Sequence, residues 1–132
     1  MAGESILIVD YSPVNLKLAR LLLRSAGYEV RTATSAEETL AVLETFAPRL
    51  ILMDVQLPGM NGLDLTRRLK ADPARRGIVI LALTAYAMKG DEAKMLAAGC
   101  DGYVAKPIDT RTLPGVVAEH LGGRRDQEAG RP

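Results

Sequence analysis

The sequence has a single cysteine, Cys100, and a single histidine, His120. One thiol excludes an internal disulfide framework, and the lack of paired Cys and His spacings excludes a zinc site of the usual kind. There is no excess of charge of either sign. Seventeen Lys and Arg stand against sixteen Asp and Glu, a formal net charge of +1. That gives no electrostatic footprint for nonspecific adhesion to nucleic acid or to an anionic membrane. Long apolar runs are also missing: the longest, Ile78 to Leu83, falls far short of the about 20 residues a bilayer span needs. The opening MAGES carries no positive region ahead of its short apolar stretch, so nothing reads as a secretion signal. These absences predict a cytoplasmic protein that does not enter the membrane.

What is present fits one domain. A chain of 132 residues with 48% hydrophobic and 25% charged residues is long enough to bury a core without a metal or disulfide staple. Ser5 to Val9 is a short run of strand formers that stops at Asp10. Ser12 and Pro13 then make an N-cap and a first helical residue, and Val14, Leu18, Leu21 and Leu22 repeat with helical spacing to about Ala26. Gly27 ends that helix, Tyr28 to Ala33 reads as a strand, and Ser35 with Glu38 forms a capping box for the next helix. Leu50 to Met53 is a third strand, ending at Asp54. A turn-rich loop through Pro58-Gly59 and Asn61-Gly62 leads to a helix from about Leu63 to Ala71. Ile78 to Leu83 ends at Thr84, Lys89 to Ala98 is helical, Gly102 to Ala105 is a short strand before Lys106-Pro107, and a last helix starts near Asp109. Strands alternating with helices predict a doubly wound α/β sandwich around a parallel sheet. The Gly-rich, charged segment 122–132 reads as a tail or linker stub after a domain of residues 1–121.

In such sheets ligands bind outside the carboxyl ends of the strands. The first polar residues after the strands are Asp10, Asp54, Thr84 and Lys106: two carboxylates, a hydroxyl and an ammonium. Any one alone suits a helix cap or a solvated strand end. Together they suit phosphoryl chemistry, in which hard carboxylate oxygens hold Mg²⁺ and Lys and Thr donate to phosphoryl oxygens.

From about residue 5 to 121 the chain resembles the receiver domain of bacterial two-component response regulators. The resemblance rests on ILIVD followed by SPVN, on LILMDVQLPGMNGLDL, on LALTAYAMKGDEAKMLAAGCDGYVAKPI, and on their order and spacing. It implies a flavodoxin-like (CheY-like) fold with five parallel strands in the order 2-1-3-4-5, and a signalling module, not an enzyme. It also implies Asp54 as phosphoacceptor, Asp10, Asp54 and the Gln56 carbonyl at Mg²⁺, and Lys106 as charge partner of the phosphoryl group. Thr84 and Tyr103 would be the switch residues, and the Lys106-Pro107 bond would be cis. The implied partners are a sensor histidine kinase or phosphotransfer protein as donor and a downstream protein on the face of the fourth helix, fifth strand and fifth helix. Direct DNA binding is not implied.

One position departs from the family. Receivers usually carry a second acid directly after the first, and here that residue is Tyr11. A neutral phenol is a poor Mg²⁺ ligand, and its ring would take up space meant for metal and water. Two readings stand: a working site with weakened metal affinity, or a pseudo-receiver acting as a phosphorylation-independent module for a protein or nucleotide second messenger, with Arg75, Arg76, Arg124, Arg125 and Arg131 as phosphate partners. A haloacid-type phosphatase is disfavoured because Gln56 stands where its second aspartate belongs, and flavin binding because DYSPVN lacks a phosphate cradle. His120 reads as a surface or helix-dipole residue and Cys100 as a small buried filler.

Overall fold

The computed structural model describes the backbone of residues 3–85 and 89–129 and the side chains of 3–85 and 91–122. The elements in chain order are β1 (Ser5–Val9), α1 (Pro13–Ser25), β2 (Glu29–Ala33), α2 (Ala36–Leu43), β3 (Leu50–Asp54), α3 (Gly62–Ala71), β4 (Val79–Thr84), α4 (Lys89–Ala98), β5 (Gly102–Ala105) and α5 (Leu113–Ala129). The five strands form one sheet in the order β2-β1-β3-β4-β5, with every pairing parallel.

The central strands read as unbroken apolar runs because both of their faces are covered. Leu7, Val9, Ile51, Met53, Ile80 and Ala82 face one core, shared with Leu43, Leu65, Leu69 and Met95 of α2, α3 and α4. Ile6, Ile8, Leu50, Leu52, Leu81 and Leu83 face the other, shared with Ala19 and Leu23 of α1 and Val117 and Leu121 of α5. The edge strands β2 and β5 instead alternate between more and less exposed residues. The chain steps from β1 outward to β2, then crosses to β3 on the other side of β1. This reversal opens a crevice at the carboxyl ends of β1 and β3, where Asp10 and Asp54 stand.

Local chemistry sets the ends of the helices. The Ser12 hydroxyl accepts the Asn15 N–H at 3.3 Å and opens α1 with Pro13 in its first turn. Gly27, at φ 100°, takes the left-handed conformation that closes it. At α2 the Ser35 hydroxyl accepts the Glu38 N–H at 3.0 Å, but the Glu38 carboxylate reaches back to the Thr34 N–H and not to that of Ser35. Several boundaries differ from the sequence reading, and β2 begins at Glu29 and not at Tyr28. β4 begins one residue later because Ile78 is held in a turn, its N–H on the Arg75 carbonyl and its own carbonyl taken by Lys70 Nζ at 2.7 Å. The Asp109 carboxylate accepts the Arg111 N–H at 2.9 Å, a turn that delays α5 to Leu113. α5 also runs on to Ala129, eight residues beyond Leu121, where the sequence reading starts a tail. The side chains of Arg124 and Arg125, and Arg131 altogether, lie outside the described residues.

Candidate functional site

Each of the four strand-end residues is placed by backbone pairing. The Asp10 N–H donates to the Ala33 carbonyl at 3.1 Å, the Val55 N–H to the Leu83 carbonyl at 3.0 Å, and the Lys106 N–H to the Thr84 carbonyl at 2.8 Å. The Lys106-Pro107 bond is cis. Asp10, Asp54 and Thr84 are all buried, at 1%, 4% and 6% exposure.

The two carboxylates are held in the same way. Asp10 Oδ1 accepts the Ser12 N–H at 2.8 Å, and Asp54 Oδ1 accepts the Gln56 N–H at 3.0 Å. Each rotamer is thereby fixed by a backbone donor two residues on. The remaining oxygens face one ammonium: Lys106 Nζ lies 3.0 Å from Asp54 Oδ2 and 3.6 Å from Asp10 Oδ2. Two acids against one lysine leave a net negative charge in a buried site. Burial, above all, pushes the Asp10 carboxyl up from its ordinary value; the Ser12 N–H opposes this, Asp54 adds to it and Lys106 opposes it. Asp10 Oδ2 is buried and accepts no hydrogen bond among the described residues.

An orphaned carboxylate oxygen beside a second carboxylate fits a hard divalent cation, which would supply the missing positive charge. The donor set is thin, however. Among the described residues no cluster of three or more His, Cys, Asp and Glu forms a metal site, so carbonyl and water oxygens must complete the shell.

Next to Asp54 a cavity of about 200 Å³ is lined by Gln56, Thr84 and Lys106, by Leu63 and Met95, and by Asp91 and Lys94 of α4. The α4 residues escaped the sequence reading, which gives Lys89 to Ala98 only as helical. Gly62 escaped it as well. Read as a turn residue, it is the first residue of α3, and a Cβ there would lie 2.0 Å from the Asp54 carbonyl oxygen. Tyr11 is 64% exposed and is not among the residues lining this cavity.

The family model described as "Response regulator receiver domain" matches residues 6–118. The chain belongs to the response regulator receiver family. It is a receiver domain of two-component signalling, and its relatives agree. It is 40% identical over 119 residues to the polar-differentiation response regulator DivK of Brucella ovis, covering 90% of this chain and 97% of DivK. A putative response regulator from Chloroflexus aurantiacus superposes with a TM-score of 0.86 at 35% identity, covering 91% of this chain and 98% of that one. The receiver domain of a sensor histidine kinase from Pseudomonas aeruginosa, whose structure has a magnesium ion in its active-site cleft, superposes at 0.82 with 36% identity, covering 92% and 99%.

The other residues singled out in the sequence do not line this cavity. Tyr103 is 38% exposed on β5 and does not line the cavity beside Asp54. His120 is a packing residue of α5: its Nδ1 lies 3.0 Å from the Val116 carbonyl, and a Cβ on Gly102 would meet its Nε2 at 2.7 Å. Cys100 is buried, and burial pushes its thiol up from the ordinary value, in keeping with an inert filler. No helix among the described residues is long and apolar enough to cross a membrane.

Proposed function

We propose that Asp54 of this receiver accepts a phosphoryl group from a phosphohistidine, with Mg²⁺ held by Asp10, Asp54 and the Gln56 carbonyl. The observation that carries the reading is the buried acid pair sharing one lysine, with Asp10 Oδ2 accepting no hydrogen bond among the described residues. Bound Mg²⁺ neutralises phosphoryl oxygens. The Gln56 N–H fixes the Asp54 carboxylate so that Oδ2 is the oxygen beside Lys106. Attack by this carboxylate on phosphorus forms an acyl phosphate as the P–N bond breaks, and its electron pair stays on the departing imidazole. Lys106 and Thr84 then donate to the phosphoryl oxygens, and the shift of Thr84 and Tyr103 changes the surface of α4, β5 and α5. Leu96 and Tyr103 already stand exposed on that surface and suit a downstream protein partner. On the donor side, α1 offers Val14 and Leu21, both exposed, among Lys17, Arg20 and Arg24 and without an acid, which suits a helical partner of opposite charge. The domain is a cytoplasmic signalling module, not a turnover catalyst or a DNA binder.

Tyr11 leaves the pairing of Lys106 with Asp54 and Asp10 intact, which supports the phosphorylation reading. A tetrahedral phosphoryl mimic tests it. Beryllofluoride with Mg²⁺ is expected to raise the melting temperature by several degrees, as tight ligands do by mass action. Neither beryllofluoride without Mg²⁺, nor the pair with Asp54→Ala, is expected to do so. A parent protein that does not respond sinks the reading.

Two further outcomes follow from the charge balance. Asp10 ionises against its surroundings in the metal-free protein, so its contribution to stability is complete below the ordinary carboxylate pKa and is lost as pH rises through the raised one. Asp10→Asn keeps an acceptor for the Ser12 N–H and removes that charge. In EDTA at pH 7 the variant is expected to melt higher than the parent, and it should no longer respond to Mg²⁺. Tyr11→Asp adds a carboxylate at the rim, and calorimetry should show Mg²⁺ affinity rising about tenfold, equivalent to about 1.4 kcal/mol. Unchanged affinity would mean that residue 11 does not reach the ion.

A further inference from the structure

At the amino end of the sheet, opposite the phosphoacceptor, the α2–β3 and α3–β4 loops enclose a pocket of about 410 Å³. That lies within the about 300–1,000 Å³ usual for small-molecule sites. Its floor is apolar, formed by Leu43, Phe46 and Ile78, and its wall carries Arg49 and Arg75, with no acid among the lining residues.

Neither arginine is saturated by the contacts it makes. Arg49 lies 3.4 Å from Glu4, and Arg75 makes long contacts of 3.4 Å to Asp72 and 3.5 Å to the Leu43 carbonyl. A guanidinium has five N–H donors, so each retains capacity for a planar or tetrahedral anion. A third guanidinium, Arg31 of β2, lies 4.8 Å over the Phe46 ring and adds to the positive field beside the floor. An apolar floor with paired forks at its wall recognises a flat ring bearing one dianionic group.

We propose that this pocket binds a nucleoside monophosphate, the ring on Leu43, Phe46 and Ile78 and the phosphate on Arg49 and Arg75. The site shares no residue with the acid pair, so the proposal does not depend on phosphorylation of Asp54.

Gly77 supplies a clean test. It lines the pocket, and a Cβ built on it meets nothing within 4 Å, so a side chain at residue 77 starts in open space and Gly77→Leu is designed to occupy the pocket. The full chain, labelled with ¹⁵N, is titrated with GMP, with guanosine and with inorganic phosphate. GMP is expected to shift amide signals of 43–49 and 74–78 in a saturable way, and each fragment alone to bind at least about tenfold more weakly. Gly77→Leu should abolish the shifts with the melting temperature unchanged, and Arg49→Gln and Arg75→Gln should each weaken binding about tenfold. Any of three results overturns the proposal: no saturable shift with GMP at millimolar concentration, equal binding of GMP by Gly77→Leu and the parent, or inorganic phosphate binding as tightly as GMP.

Discussion

Gly62→Ala is expected to destabilise the domain by about 3 kcal/mol or more, read as a fall in the urea midpoint at unchanged slope. The cause is steric. A methyl group at residue 62 would sit 2.0 Å from the Asp54 carbonyl oxygen, 2.9 Å from its carbonyl carbon and 3.0 Å from Val55 Cα. All three are backbone atoms of the strand end that carries the proposed phosphoacceptor, so no side chain is free to swing aside. The start of α3 is also tied down, with the Gly62 N–H on the Val55 carbonyl at 2.9 Å and the Thr66 hydroxyl on the Gly62 carbonyl at 2.8 Å. Relief therefore requires moving Asp54 itself, and phosphorylation should fall with stability. Gly115→Ala is the matched control. Gly115 lies in α5 with open space around it, and alanine there should be neutral or stabilise by up to about 1 kcal/mol. A Gly62→Ala protein as stable as the parent would mean that this close approach is not part of the folded state.

The fold was largely legible because the three central strands are buried on both faces and end at polar residues, a pattern that survives without any tertiary information. The four residues at their ends came from the same signal, whereas the order of the strands came from the family resemblance. What escaped depends on contacts between distant parts of the chain. Nothing near Lys70 in sequence announces that its ammonium bridges the Ile78 carbonyl and Asp101, whose carboxylate in turn accepts the Ile80 N–H at 2.8 Å. Gly62 looked like one more turn glycine because its close neighbour, the Asp54 carbonyl, is brought there by the packing of α3. Tyr11 was read by its chemistry alone, and only the path of the β1–α1 loop shows the residue exposed. Asp109 was taken for a helix start because a capping carboxylate and a turn-forming one look alike in sequence, and the difference lies in which N–H each accepts.

Asp54→Ala is expected to remove the phosphoryl acceptor outright. No neighbouring side chain replaces it: Asp10 Oδ1 is occupied by the Ser12 N–H, and its other oxygen lies 3.6 Å from the ammonium, against 3.0 Å for Asp54. Lys106→Ala should leave the nucleophile in place while removing the one lysine paired with it. The phosphorylation rate is then expected to fall by about 10²-fold, the usual cost of deleting an electrostatic donor to the transition state. The two variants separate the roles, since one loses the product altogether and the other forms it slowly.

The most direct measurement is intact mass after incubation with acetyl phosphate, with Mg²⁺ or with EDTA, for the parent, Asp54→Ala and Tyr11→Asp. A buried acid pair held against Lys106 predicts one phosphoryl adduct in the parent. That adduct should depend on Mg²⁺, survive acid, be cleaved by hydroxylamine and be absent from Asp54→Ala. A parent that forms no adduct while Tyr11→Asp does would contradict the account, placing the defect at residue 11 and making this receiver silent at its own phosphoacceptor.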